Sequence, residues 1–275
     1  MTTQLRGAAA LAFAFTLAAC AVPAHAANAT QCTLTGLCYC SNADFGAAIA
    51  EKVAYYRTTI AAERAKGKAI GYLSVPLSTV AGAEFGVNRE VARRTKERIE
   101  ARFGENAVWV LDPTAKEADL PTIAGVRASQ GDYLVMWTRV LEGESGLAEG
   151  FDFIWFAGPS DFASYFKLTG TGDMDRISAY FADRVATNPD FKRVVDSGRV
   201  TAQSFRNYYA LRASASFSVG AHDEWNAIRI ANQKRRDDPK FGIVQQLPVF
   251  FDGRALSSAE FEREVGTGNA GACKS

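Results

Sequence analysis

Four short runs of mostly apolar residues, set between loops and helix-like stretches, constrain the fold of this chain more than any other feature. They cover residues 69–76, 107–111, 132–137 and 151–157. The runs do not alternate regularly between apolar and polar residues, which is typical of parallel strands buried on both faces. We therefore predict an α/β protein, a single Rossmann-like domain with a mainly parallel sheet and helices on both faces.

Helical spacing of apolar residues fills most of the remaining chain. Residues 42–66 and 88–103 are predicted to form two long helices, and shorter helices are expected between residues 160 and 213. A helix over 218–236 and an extended segment over 241–251 follow. The shorter helices are therefore predicted to be an insertion before the last helix–strand unit.

The N-terminus has the order of features found in a bacterial secretory signal. Arg6 precedes an apolar run over residues 8–19, which is too short to span a bilayer. Cleavage after Ala26 would make residues 1–26 the signal peptide and release a soluble protein. Leu17-Ala18-Ala19-Cys20 is similar to a lipobox, and in that case residues 1–19 are removed and Cys20 is lipidated. Both alternatives predict an exported protein of the periplasm or cell envelope.

Four cysteines follow either cleavage site: Cys32, Cys38, Cys40 and Cys273. An even number in an oxidising compartment indicates two disulfides. Cys38 and Cys40 are poor partners because one intervening residue rarely allows disulfide geometry. We expect at least one bridge between the cysteine-containing segment 27–42 and Cys273, and we assign residues 43–275 to the single α/β domain.

Composition and motifs exclude several classes of function. The formal net charge is +1, so no nucleic-acid partner is predicted. The sequence contains no phosphate-binding loop and no dinucleotide fingerprint, so we expect no cofactor. His222 is the one histidine beyond the predicted signal peptide, and no metal site is predicted. Membrane attachment is expected only through Cys20, and the oligomeric state is left open.

Two patches resemble the nucleoside 2-deoxyribosyltransferase-like group, whose members share a compact Rossmann-like fold. The first patch is Tyr72-Leu73-Ser74-Val75-Pro76-Leu77, with Asn88-Arg89-Glu90 opening the next helix and Asp112-Pro113 ending the next strand. The second patch is the run from Gly220 to Ala227, which is similar to the helix start that carries the catalytic glutamate of the group. The resemblance implies that Glu224 is the catalytic acid.

The resemblance also implies a supporting carboxylate and a polar, aromatic-lined ligand site. Asp152 or Asp161, at the fourth predicted strand, would support Glu224. Ligands of open parallel sheets bind beyond the carboxyl ends of the strands. That rule points to residues 74–78, Asp112, 137–139 and 158–161. The predicted ligand-binding residues are Tyr72, Ser74, Ser78, Asn88, Trp137, His222 and Asn226.

Ordinary structural roles are available for the same residues. Glu224 and Asp223 are also explained as acids in the first turn of a helix capped by Ser218, where the helix dipole favours negative charge. Three functions therefore remain open. The chain is an enzyme that cleaves an N-glycosidic bond, a non-catalytic envelope protein that binds a small ligand or a protein, or a hydrolase that uses Ser74 or Ser78 with His222.

The two cleavage alternatives differ in the mass of the mature protein. Cleavage by ordinary signal peptidase gives a chain that begins at Ala27, whereas lipoprotein processing gives a chain that begins at a Cys20 carrying acyl groups. Intact mass spectrometry of the protein secreted by a bacterial host distinguishes the two. A mass that retains residues 1–19 would contradict both.

Overall fold

The computed structural model describes residues 28–77, 82–238, 240, 246–263, 265 and 268–273. The predicted signal peptide, Cys20 and Ser78 lie outside the described residues, as does part of the predicted extended segment 241–251. Within the described residues the chain is an α/β protein with a mostly parallel sheet and helices on both faces, as the sequence predicts.

The central sheet has the order β4-β3-β5-β6-β7, in which the first four strands are parallel and β7 pairs antiparallel to β6. Tyr72 on β3 pairs with Leu111 on β4 and with Ile154 on β5, so β3 lies inside the sheet. A separate antiparallel hairpin, β1-β2, precedes it. The strands are β1 (Asn28–Cys32), β2 (Cys38–Asn42), β3 (Ala69–Ser74), β4 (Val108–Leu111), β5 (Phe153–Phe156), β6 (Val249–Phe251) and β7 (Arg254–Ala255).

The helices follow the predicted positions closely except for two: α3 occupies a predicted strand, and the short α9 was not predicted. They are α1 (Gly46–Ala65), α2 (Phe85–Phe103), α3 (Gln130–Glu142), α4 (Pro159–Phe166), α5 (Asp173–Thr187), α6 (Pro189–Asp196), α7 (Ala202–Leu211), α8 (Val219–Asp237) and α9 (Ser258–Phe261). Helices α5, α6 and α7 form the predicted insertion before the last helix–strand unit, which is α8 with β6.

Successive side chains along each parallel strand point to opposite faces of the sheet and belong to two separate hydrophobic cores. On β5, Ile154 and Phe156 join the core that packs α1, α3 and α8, whereas Phe153 and Trp155 join the core that packs α2 and α4 to α7. Both faces of the sheet are therefore covered, which explains why its parallel strands consist mostly of apolar residues. The insertion serves as the outer wall of the second core, and Phe205 of α7 is fully buried there.

The prediction of a strand over residues 132–137 is wrong, because these residues lie in α3. A buried helix and a buried strand cannot be told apart by periodicity when the run is short and apolar. Helix α3 is buried nearly all round, between the sheet and the β1-β2 hairpin, so it lacks a polar face over these residues. Ser129 and Asp132 form a capping box at its N-terminus, which was the available sequence signal.

Two buried carboxylates of α3 hold the N-terminal hairpin in place. Asp132 accepts hydrogen bonds from the Ser41 hydroxyl at 2.7 Å and from the backbone N–H of Asn42 at 2.8 Å. Glu142, at the other end of the helix, accepts one from the backbone N–H of Thr35 at 2.9 Å. Charge-assisted bonds of this kind satisfy carboxylates that would otherwise be costly to bury.

The disulfides are Cys32–Cys38 and Cys40–Cys273. The expectation that Cys38 and Cys40 are not paired is confirmed, as is the bridge from the N-terminal segment to Cys273. Such bridges are compatible with an oxidising, exported location. No helix in the described part of the chain is both long enough and apolar enough to cross a membrane.

The two disulfides should differ in their contribution to stability. Cys40–Cys273 spans 233 residues and Cys32–Cys38 spans 6, so the former restricts the unfolded chain far more. We expect the double variant Cys40→Ser/Cys273→Ser to lose roughly 3 kcal/mol more unfolding free energy than Cys32→Ser/Cys38→Ser. Urea unfolding of both variants measures the difference, and an equal loss in the two would contradict the prediction.

Candidate functional site

A cleft of about 430 Å³ opens beyond the carboxyl ends of β3 and β4. The strand order reverses between β3 and β5, and the crevice beside such a reversal is where open α/β sheets bind ligands. The walls come from the segments that follow β3 and β4 and from the N-terminal ends of α2, α3 and α8. The lining residues are Val75, Leu77, Phe85, Pro113, Thr114, Ala118, Asp119, Gln130, Tyr133, Leu134, Trp137, Ser218, Gly220, Ala221 and Glu224.

Glu224 enters the cleft from α8. Ser218 caps this helix, and its hydroxyl oxygen accepts a hydrogen bond from the backbone N–H of Ala221 at 3.4 Å. The first turn of α8 holds no acidic residue, so Asp223 and Glu224 lie in the second turn. Because the helix dipole acts mainly within the first turn, the structure weakens the explanation of Glu224 as a first-turn acid.

A short hydrogen bond joins Glu224 to the floor of the cleft. The hydroxyl of Tyr72 on β3 donates to Oε1 of Glu224 at 2.6 Å. Tyr72 is fully buried, and its ring packs edge-on against Trp137, with 6.2 Å between the ring centroids. The resemblance-based prediction placed Tyr72, Trp137 and Glu224 in one site, and the structure brings these three side chains together.

Ser74 lies beside this pair at the end of β3. Its side chain is fully buried, and its hydroxyl has no partner in hydrogen-bonding geometry within the described part of the chain. It is nevertheless near enough to the Glu224 carboxylate to favour the charged form of that group. A buried hydroxyl without a partner is uncommon, because it gives up its hydrogen bonds to water.

Burial raises the pKa of Glu224 to about 7, against the opposing influence of the Ser74 and Tyr72 hydroxyls, and the nearby Asp223 raises it further. At neutral pH the side chain is therefore divided between the carboxylate and the carboxylic acid. A carboxyl group with this pKa can donate or accept a proton, or attack an electrophilic carbon, near pH 7.

The rest of the cleft wall combines aromatic and polar side chains. Phe85, Tyr133 and Trp137 supply ring surfaces, and Thr114 and Gln130 supply hydrogen-bonding groups. Such a mixture is typical of a small-molecule site, where apolar surface provides affinity and a few polar groups fix the orientation of the ligand.

Two further carboxylates lie at this end of the sheet. Asp119 lines the cleft and is exposed. Asp112, which the strand-end rule had indicated, accepts a hydrogen bond from the backbone N–H of Thr114 at 2.8 Å. Burial raises the pKa of Asp112. Burial also raises the pKa of the Tyr72 hydroxyl, with smaller contributions from the charges of Glu224 and Asp112.

Asp152 and Asp161, predicted to support Glu224, lie away from the cleft. Asp152 precedes β5 at the opposite end of the sheet, where it accepts a hydrogen bond from the Ile70 backbone N–H at 2.7 Å and pairs with Arg64 at 3.0 Å. Asp161 is buried at the start of α4, where it accepts from the Gly158 backbone N–H and pairs with Arg98. The described geometry gives both carboxylates structural roles.

Three other predicted ligand-binding residues, Asn88, His222 and Asn226, do not line the cleft. Asn88 is fully buried on α2, and its side-chain oxygen accepts from the Tyr209 hydroxyl at 2.8 Å. Asn226 is buried on α8. His222 lies 3.0 Å from the Ser216 carbonyl oxygen and lines a separate cavity of about 240 Å³. In the described structure, His222 therefore forms no pair with Ser74.

Several cleft residues are not predicted from the sequence, among them Asp119, Gln130 and Tyr133. Gln130 and Tyr133 follow Ser129 at the start of α3, where the incorrect strand over residues 132–137 concealed the helix. Recognising the Ser129–Asp132 capping box would have placed a helix start at the cleft. The described residues contain no group of three or more His, Cys, Asp or Glu side chains arranged to hold a metal ion.

Comparisons with models of known protein families, with curated proteins and with solved structures gave no match to this chain.

The raised pKa of Glu224 predicts a pH-dependent effect of Glu224→Gln on stability. The unfolded glutamate ionises near its ordinary value of 4.5 and the folded one near 7, so ionisation destabilises the folded state as pH rises between them. Glutamine has no charge to bury. We expect the variant to gain about 2 kcal/mol relative to the wild type between pH 5 and pH 8.

Urea unfolding at the two pH values measures this gain. Glu51→Gln on the exposed face of α1 is the matched control, since it removes a carboxylate that faces solvent. A gain that is equal in the two variants, or absent in both, would mean that Glu224 is not destabilised by ionisation in the folded protein.

Proposed function

We propose that this protein is an exported enzyme that cleaves the N-glycosidic bond of a nucleoside or a related sugar derivative, with Glu224 as its key carboxylate. The observation that carries the proposal is the meeting of Glu224 with the Tyr72 hydroxyl in an aromatic-lined cleft beside the strand reversal. The resemblance of the two sequence patches to the nucleoside 2-deoxyribosyltransferase-like group supports the same role.

Cleavage of an N-glycosidic bond needs a group that stabilises positive charge on the anomeric carbon. The carboxylate form of Glu224 attacks that carbon or holds its charge while the bond to the base breaks. The bonding electron pair leaves with the base, which takes up a proton from solvent water. Water, or the hydroxyl of a second acceptor, then attacks the anomeric carbon, loses its proton to solvent and releases Glu224.

The cleft provides groups for each part of this sequence. Tyr72 holds the Glu224 carboxylate through its hydroxyl and thereby fixes its orientation. Asp119 is the second carboxylate of the cleft wall and is assigned to orient the leaving base by accepting a hydrogen bond from it. Tyr133 and Trp137 offer ring surfaces against which a base or a sugar can stack.

A second function, ligand binding without catalysis, is favoured by one observation. Neither Asp152 nor Asp161 lies in the cleft, so Glu224 lacks the carboxylate partner that the resemblance implied. A glutamate hydrogen-bonded to a tyrosine is also a suitable group for binding a polar ligand. In that case the protein is an envelope binding protein, soluble or lipid-anchored.

Turnover of nucleosides by the purified protein tests the proposal. We expect release of free base from one or more ribonucleosides or deoxynucleosides, measured by liquid chromatography, and a loss of about a hundredfold in kcat in Glu224→Gln. Asp119→Asn should also lower kcat. Asp152→Asn is the matched control, because it removes a carboxylate at the opposite end of the sheet, and it should retain turnover.

Each result has a separate meaning. Equal turnover in the wild type and Glu224→Gln removes Glu224 from the mechanism. Loss of turnover in Asp152→Asn with a normally folded protein would return the catalytic role to Asp152. Thermal stabilisation by a nucleoside without any product supports the binding protein instead, because specific binding stabilises the native state by mass action.

A further inference from the structure

The C-terminal residues 268–273 form a strap that crosses α8 beside the cleft. Asp223 of α8 accepts three hydrogen bonds from this strap: from the backbone N–H of Asn269 at 2.7 Å, from the Asn269 side-chain amide at 3.2 Å and from the backbone N–H of Ala270 at 3.1 Å. Asp223 is 1% exposed. Its carboxylate is therefore enclosed by groups that the strap supplies.

The other end of the strap is fixed to the N-terminal hairpin. The backbone N–H of Gly271 donates to the Cys38 carbonyl at 2.7 Å, and that of Cys273 donates to the Thr30 hydroxyl at 3.0 Å. The Cys40–Cys273 disulfide makes this attachment covalent. The strap thus ties two elements that are distant in sequence, the hairpin and the start of α8.

The contact between the strap and Asp223 is close enough to constrain both. A side-chain carbon added at Gly268 would lie 2.0 Å from the nearer Asp223 carboxylate oxygen, so only glycine fits there. A buried carboxylate that loses its hydrogen-bond donors destabilises the fold or draws in water. Displacing the strap should therefore disturb the helical turn that carries Asp223, and Glu224 is the next residue of that turn.

We propose that Asp223 is a positioning residue, which acts through the C-terminal strap to hold the N-terminal turns of α8 so that Glu224 faces Tyr72. The effect on catalysis rests on the function proposed for Glu224. The restraint of α8 by the strap follows from the contacts of Asp223 alone. The Cys40–Cys273 disulfide keeps the strap in place, so reduction of this bridge would release it.

Two glycine substitutions within the strap test the inference with both disulfides intact. Gly268→Ala forces the strap away from Asp223, whereas Gly271→Ala is a matched control, because a side-chain carbon there has nothing within 4 Å. The first readout is hydrogen exchange of the peptide covering residues 219–226, followed by mass spectrometry, in the full-length protein. The second readout is kcat and KM for nucleoside cleavage.

We expect Gly268→Ala to exchange faster over residues 219–226 and to lose about tenfold or more in kcat with KM nearly unchanged. Gly271→Ala should behave as the wild type does. Asp223→Asn, which keeps the shape of the side chain but replaces one acceptor oxygen with a donor, should follow Gly268→Ala. Among the disulfide variants, Cys40→Ser/Cys273→Ser should show the same faster exchange and lower kcat as Gly268→Ala. Cys32→Ser/Cys38→Ser should show neither change.

Unchanged exchange over residues 219–226 in Gly268→Ala would overturn the inference. Faster exchange without any change in kcat would show that the strap only anchors the C-terminus, and this would also overturn the positioning role. If the wild type itself cleaves no nucleoside, the proposed function fails separately, and the exchange measurement still decides whether the strap holds α8.

Discussion

The hydrogen bond between Tyr72 and Glu224 joins the central sheet to helix α8, the two elements on which the site depends. Tyr72 belongs to β3, an inner strand whose position is set by parallel pairing on both sides. Glu224 belongs to α8, which packs against α3 on one face of the sheet. The bond at 2.6 Å therefore places a carboxyl group of raised pKa at a fixed point beyond the strand ends. The cleft, its aromatic walls and the proposed chemistry are arranged around that point.

The two faces of the sheet have different roles: one forms a purely structural core, and the other borders the cleft. The core with α2 and α4 to α7 is rich in packed aromatic rings and holds Asp161 in a structural ion pair. The opposite core, with α1, α3 and α8, borders the cleft and carries the N-terminal hairpin on the outside of α3. Because the disulfides and the strap lie on this second side, the covalent links brace the same half of the molecule that holds Glu224.

The incorrect strand and the misplaced Asp152 have different causes. The apolar pattern of residues 132–137 predicts a strand, because local sequence does not reveal that a hairpin covers the outer face of α3. Asp152 lies on an apolar run, but a residue before a strand and a residue after it lie at opposite ends of the sheet. Asp152 comes before β5 and Ser74 ends β3, so the direction of the strands separates them.

The sequence by itself determined the α/β class, the mainly parallel sheet and the positions of most helices, because apolar periodicity reports burial directly. It also determined that Cys273 pairs with the N-terminal segment, since Cys38 and Cys40 are too close to pair. Only the tertiary structure decided which carboxylates share the cleft, and that Asp223 faces the strap while Glu224 faces Tyr72. Those contacts join residues about 50 to 150 positions apart, and no local pattern records a distance of that kind.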